Sequence, residues 1–200
     1  LKTGEYKSGG VGLIAGRSYG TISNCHVTNS RISNEECLYI GGIVGYTEGK
    51  IINCSVNNTT MESSNGSSGA IAGYLNNGIV LNSYSSNNTS TEKTTHNGGI
   101  CGYAQSSTIT NCYTYANQNV KGHVVGTGKI NTTVTYCYCD QGPVVYSYNK
   151  GDCNIDRNYK YHEDFTATSN NIPVYQLLNQ WIESQETNQS TDIHCKGNSI

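Results

Sequence analysis

The chain has 200 residues, with 12 Lys and Arg against 14 Asp and Glu, a net charge of −2 and 13% charged residues. That balance lacks the basic stripe that nucleic acid or an anionic membrane requires, and no apolar run approaches the length of a bilayer span, about 18 residues. One Phe, one Met, one Trp and two Pro stand against 23 Gly and 16 Tyr, a composition that fills a narrow core of small and β-branched side chains and leaves a thick one empty.

The opening "LKTGEYKSGG" carries no signal-peptide core, so an exported form has lost its signal or the chain is a piece of something longer. The first element is the word "GLIAG" (12–16), followed by a turn, "RSYGT", and a second word, "TISNCHV" (21–27). Both words then recur. The glycine word returns as "GGIVG" (41–45), "GAIAG" (69–73), "GGICG" (98–102) and "GHVVG" (122–126). The second word places Cys25, Cys54, Ser83 and Cys112 at steps of 29 residues, with Cys137 following 25 later. The residues just before are Asn24, Asn53, Asn82 and Asn111, with Tyr136 last. Three before stand Ile22, Ile51, Val80, Ile109 and Val134, all β-branched and apolar.

Such a period means a stacked array. The words are short, β-branched and bounded by Gly and Asn, which predicts strands, and roughly 29 residues is too few for a four-stranded propeller blade. The expectation is an all-β, parallel β-solenoid (β-helix) of about five coils over residues 1–139. Each coil has two strands, a turn and a polar arm with room for a third. Like stacks on like at about 4.8 Å: Ile and Val inside, Asn as an amide ladder. The word glycines permit either close approach of coils or a bend with positive φ. The arms, about 28–39, 57–68 and 85–97, vary in sequence and read as loops displayed on a rigid scaffold.

The words "GGIVGYTEGKIINCSV" (41–56) and "GGICGYAQSSTITNCYTY" (98–115) resemble the GLUG repeat, and the resemblance covers roughly residues 9–139. The fifth copy departs from it, lacking Asn before Cys137, as a capping coil would. The resemblance implies bacterial surface and secreted proteins, including adhesins and the non-catalytic region of some immunoglobulin A peptidases. It also implies attachment or display in place of catalysis, and an array that ends in a polar segment with a short "LLN" helix.

Residues 140–200 read as a capping segment. In "VYQLLNQWIES", which follows Pro173, Val174, Leu177, Leu178 and Trp181 share one helical face, expected to cover the open coil end. The last stretch, from about Ser184, reads as loosely ordered.

Candidate chemistry is sparse. "GVGLIA" (10–15) matches a dinucleotide fingerprint but leads into a turn where that fingerprint needs a helix. Cysteine nucleophiles need a base nearby. His26 follows Cys25, whereas the equivalent positions hold Ser55, Tyr84, Tyr113 and Tyr138. "CYCD" (137–140) with His162 or His194 is a weak zinc constellation. The column Cys25, Cys54, Cys112 and Cys137 therefore reads as reduced, buried packing, with Ser83 showing that sulfur is not required. Cys37, Cys139, Cys153 and Cys195 lie off the columns and are better placed to pair in an oxidising compartment. All five Asp fall in the tail, against the acidic clusters of carbohydrate-active or calcium-binding β-helices, and Glu163 with Asp164 is the one acidic neighbourhood left for a hydrolase. The Asn-x-Ser/Thr sequons within 57–60, 65–67, 87–90, 131–133 and 188–190 follow from composition alone.

Two tyrosine columns remain: Tyr46, Tyr74 and Tyr103 after the glycine word, and Tyr84, Tyr113 and Tyr138 after the Cys column. Both are candidate ligand contacts, since rows of rings on a sheet face meet sugars or proteins. The functional expectation is a non-catalytic, extracellular or cell-surface adhesion or display module for glycan or protein ligands, with no cofactor, no metal, no nucleic acid and no membrane span. A filament or surface-layer building block associating end to end, or the accessory region of a secreted peptidase, are the other expectations.

Overall fold

The computed structural model describes residues 9–34, 36–64, 66–91, 93–148, 153–156, 159–160, 172 and 174–186. Pro173, Cys195, His162, His194, Glu163, Asp164 and the last stretch from 187 lie outside the described residues. The first coil contains β1 (Gly10–Gly12), β2 (Ala15–Ser18), β3 (Thr21–Ser23), β4 (His26–Thr28) and β5 (Arg31–Ser33). Each heads its own parallel sheet. The sheets through β2, β3 and β4 are six strands deep, that through β1 four and that through β5 three. The fold is the all-β parallel solenoid that the period predicts: about four wide turns, then narrow ones.

The columns stack in register. Ile22 pairs with Ile51, Ile51 with Val80, Val80 with Ile109 and Ile109 with Val134. The last four are fully buried in one continuous core, where each side chain contributes about 1.5–3 kcal/mol relative to exposure. Ile22, in the first coil, is only partly buried against that core.

One expectation is met and another needs correction here. The polar arms are not loops alone but carry the strand they had room for. They hold β5 and its partners Thr60–Glu62 and Thr89–Ser90, in register Ile32, Met61, Ser90, with Ile32 and Met61 buried. A single apolar residue between polar neighbours suffices for a three-residue strand, too short for alternation to show. Nor does pairing stop at Cys139. Val145 pairs with Val125, Ile155 with Val134 and Tyr159 with Tyr138. These steps are 20 or 21 residues because the arm has been dropped. Parallel pairing needs extended backbone and an apolar residue facing inward, not the repeated words.

The glycine word has a steric explanation. A Cβ on Gly45 would lie 2.2 Å from the Val11 nitrogen, and those on Gly73, Gly102 and Gly126 would lie 2.6–2.7 Å from the nitrogens of Ile40, Ser68 and Asn97. The strand after the word therefore folds back against the strand before it in the preceding coil, backbone on backbone. Close approach, not positive φ, is the reason for these glycines.

The helix α1 (Val174–Glu186) buries Val174, Leu178 and Ile182, with Leu177 and Trp181 half-buried beside them. Its apolar face lies on the flank of the solenoid and not over the coil end: Val174 and Leu178 pack on Tyr138, Tyr113 and Tyr115. The Trp181 ring meets Tyr136 at 6.1 Å, and the Leu178 carbonyl accepts from Asn111 Nδ2 at 3.3 Å. No helix among the described residues is long and apolar enough to cross a membrane.

Candidate functional site

The first tyrosine column is an aromatic ridge running down the sheet through β2. Tyr46 pairs in register with Tyr74, and Tyr74 with Tyr103. Their rings meet edge to face, at 5.3 Å and 5.0 Å between centroids, a favoured arrangement for aromatic quadrupoles. Tyr39 leans in from the neighbouring sheet, 4.9 Å from Tyr74, and His96 closes the ridge 5.2 Å from Tyr103. Polar side chains line the ridge: Asn76 donates to Tyr46 Oη at 3.1 Å, Tyr74 Oη donates to Gln105 at 3.2 Å, and Tyr46 Oη donates to Glu48. Burial and the flanking Tyr103, Tyr39 and Tyr46 push the Tyr74 phenol up to about 12, so it acts as a neutral donor.

The three members are not equivalent. Tyr46 is 8% exposed, with the Arg17 guanidinium 4.3 Å above its ring. Its face is already taken by a cation–π contact. Tyr74 and Tyr103 are half-buried and retain accessible ring surface.

In the second column Tyr84 and Tyr113 stack in parallel, 4.8 Å apart with planes 3° off. Tyr138 continues the register but is buried beneath α1, which removes it as a ligand contact. The helix therefore occupies much of the second row.

The cysteine column is a row of corners. Asn24, Asn53, Asn82, Asn111 and Tyr136 all have positive φ, between 48° and 54°, a region that Asn tolerates better than other non-glycine residues. The next side chain donates to the carbonyl two residues back: Cys25 to Ser23, Cys54 to Ile52, Ser83 to Leu81, Cys112 to Thr110 and Cys137 to Thr135, at 2.9–3.4 Å. The device recurs at other corners, where Asn58 precedes Thr59 and Ser106 precedes Ser107. The amide ladder expected from the Asn column is present at the step from Asn111 to Asn82, 2.7 Å, but its primary reason is backbone conformation.

Cys54, Cys112 and Cys137 are buried, but Cys25, expected to be buried with them, is only partly so, because among the described residues no coil precedes the first. Burial pushes the thiols of Cys54 and Cys137 up, and that of Cys101 up to about 12, the opposite of what a nucleophile needs. Cys139 is not off-column: it pairs with Thr114 inside the core. Cys25, Cys37, Cys54, Cys101 and Cys112 are free thiols.

The family model of the GLUG motif matches residues 7–33 and 36–60. The chain carries GLUG repeats. The two matched GLUG copies span the first two wide coils, and the third and fourth continue their register strand for strand. No curated protein matches the chain, and no solved structure does.

The remaining GLUG-chain motifs resolve simply. "GVGLIA" runs from β1 around the bend into β2, with no helix after it. His26 Nδ1 lies 2.7 Å from Ser55 Oγ, while Cys25 turns back to the Ser23 carbonyl, so the two do not form a pair. Asp140 of "CYCD" faces His123 at 3.6 Å and accepts from the Ala116 N–H at 2.7 Å. Among the described residues no three His, Cys, Asp or Glu converge as a metal site. Sequence reasoning missed His96 and Tyr39, which join the ridge from a neighbouring sheet. Only the topology brings them there.

Proposed function

We propose that this chain is a non-catalytic display module, working outside the cell or on its surface, that holds a ligand on the ridge at Tyr74 and Tyr103. The observation that carries the reading is the pairing of half-buried rings with in-register amides. Tyr74 and Tyr103 offer apolar surface, while Asn76 and Gln105, also in register, offer donors and acceptors alongside. Rings beside amides suit a saccharide, whose apolar C–H face stacks while its hydroxyls hydrogen-bond, and also suit a peptide. The high thiol pKa values of the buried cysteines support a role without covalent chemistry.

The test is to immobilise the chain and screen it against arrays of glycans and surface proteins. The reading expects a reproducible class of ligands. Silence on both arrays would sink it. A second reading, end-to-end association, is favoured by the exposed Leu13 and Ile14 at the first coil. It expects sedimentation that grows with protein concentration, and a concentration-independent monomer would contradict it.

A further inference from the structure

The ridge is not electrostatically neutral along its length. At its lower end His96 Nδ1 lies 2.6 Å from Thr127 Oγ1, directly beneath Tyr103 in register. Lys129 stands two residues beyond Thr127 on the same outward face, paired in register with Gln105. Lys121 reaches in from the other side, its Nζ donating to the Thr95 carbonyl at 3.3 Å, next to His96. The fifth turn, the first of the narrow ones, thus brackets the His96–Tyr103 pair between two ammonium groups. Burial first, then the charges of Lys121 and Lys129, hold the His96 imidazole below its ordinary pKa, which leaves it neutral at pH 7.

Among the described residues no carboxylate forms an ion pair with these lysines. Among the described residues the ion-paired acids are Glu62, with Arg31, and Asp140, with His123. The ridge's own acid, Glu48, lies in the second coil and is held by Tyr46. A third cation, Arg17, sits at the upper end over Tyr46. The face therefore carries aromatic rings between cations, although the whole chain is slightly acidic.

We infer that the ridge binds an anionic saccharide, a polymer bearing sulfate or carboxylate groups, with a sugar ring on Tyr103 and its acidic group between Lys121 and Lys129. This rests on the reading of the ridge as a ligand face and adds the ligand's charge. The lysines place two ammonium groups beside the ring surface, and Lys121, which gives one N–H to the Thr95 carbonyl, keeps two more for an acidic group.

The probe is dextran sulfate against uncharged dextran, titrated onto the full chain at rising salt. Dextran sulfate should bind and dextran should not, with affinity falling as salt rises. Lys121→Gln with Lys129→Gln should weaken binding about fivefold per lysine. The control, Arg31→Gln with Lys50→Gln, removes the same charge from strands of two other sheets and should leave binding unchanged. Equal weakening in the control, or equal binding of dextran, overturns the inference while the ridge reading stands. Failure of dextran sulfate with a surviving array ligand overturns it as well. Failure of both polymers on a chain that is also silent on the arrays removes the reading of the ridge itself.

Discussion

The Cys54 N–H donates to Ser83 Oγ, 3.1 Å away and one coil on. At this corner the backbone donor of one coil finds no carbonyl in the next and bonds a side chain instead. The same exchange joins Gly78 N–H to Ser107 Oγ and Thr59 N–H to Asn88 Oδ1. The column accepts Cys or Ser because either can donate to the carbonyl two residues back and face the donor of the coil before.

Cys54→Ser should therefore be nearly silent, within about 1 kcal/mol in urea unfolding. Cys54→Val keeps the apolar character but loses the donor and adds bulk, and should cost about 1–3 kcal/mol. Equal costs would show that the column selects only for size.

The corner asparagines make a second contrast. Asn53 holds φ at 54°. Asn53→Gly should leave the midpoint nearly unchanged, because glycine adopts that conformation freely. Asn53→Val, β-branched, should cost about 1–2 kcal/mol. A Val variant as stable as the Gly variant would refute the conformational reading.

The fold was legible because its signal is periodic: Ile51 and Val80 are buried and paired just as their spacing demands. The arm strands were legible only as room for one more strand, not in their position, since Met61 is a lone apolar residue among polar ones. The strands at Val145 and Ile155 were hidden because they keep only the inward apolar residue and none of the words. The ridge was half legible. Tyr74 and Tyr103 lie in one sequence column, but Tyr39 and His96 belong to another sheet, and the cation above Tyr46 comes from a position, Arg17, that breaks the Tyr column. The second row was misjudged at Tyr138 because sequence places α1 only along the chain, not in space.

Glycines separate by neighbourhood, not by word. Gly45→Ala would drive a methyl into the Val11 backbone, whereas a Cβ on Gly20 meets nothing within 4 Å. The first should lower stability by about 3 kcal/mol, the second by no more than about 0.5 kcal/mol. Thermal melts of the two variants decide it, and similar shifts would contradict the close approach of the strands.

Acid should loosen the narrow end. Burial works against ionised Asp140, but the nearby His123 ring, 3.6 Å away, and the hydrogen bond from the Ala116 N–H outweigh it and hold its carboxyl below the usual range. A depressed carboxyl contributes stability that is complete above its unfolded value and is lost as pH falls through the folded one. The wild type should lose stability below about pH 4 more steeply than Asp140→Asn. Parallel acid profiles would exclude this group.

Trp181, the single tryptophan, reports on the helix. Leu178→Ala removes the side chain buried beside Tyr138 and should cost the docking about 2–4 kcal/mol. Trp181 emission should shift to the red while the far-ultraviolet β signal persists. Simultaneous loss of both would mean that the helix is integral to the solenoid and not a cover on its flank.

The ridge itself is tested most directly by comparing the two tyrosine rows against whichever array ligand the chain selects. Affinity is measured for Tyr74→Ser with Tyr103→Ser, and for Tyr84→Ser with Tyr113→Ser as the matched control. Loss of about tenfold or more in the first pair alone, with wild-type circular dichroism, is the predicted result. Unchanged affinity in the first pair, or an equal loss in both, would contradict the assignment of the ligand to Tyr74 and Tyr103.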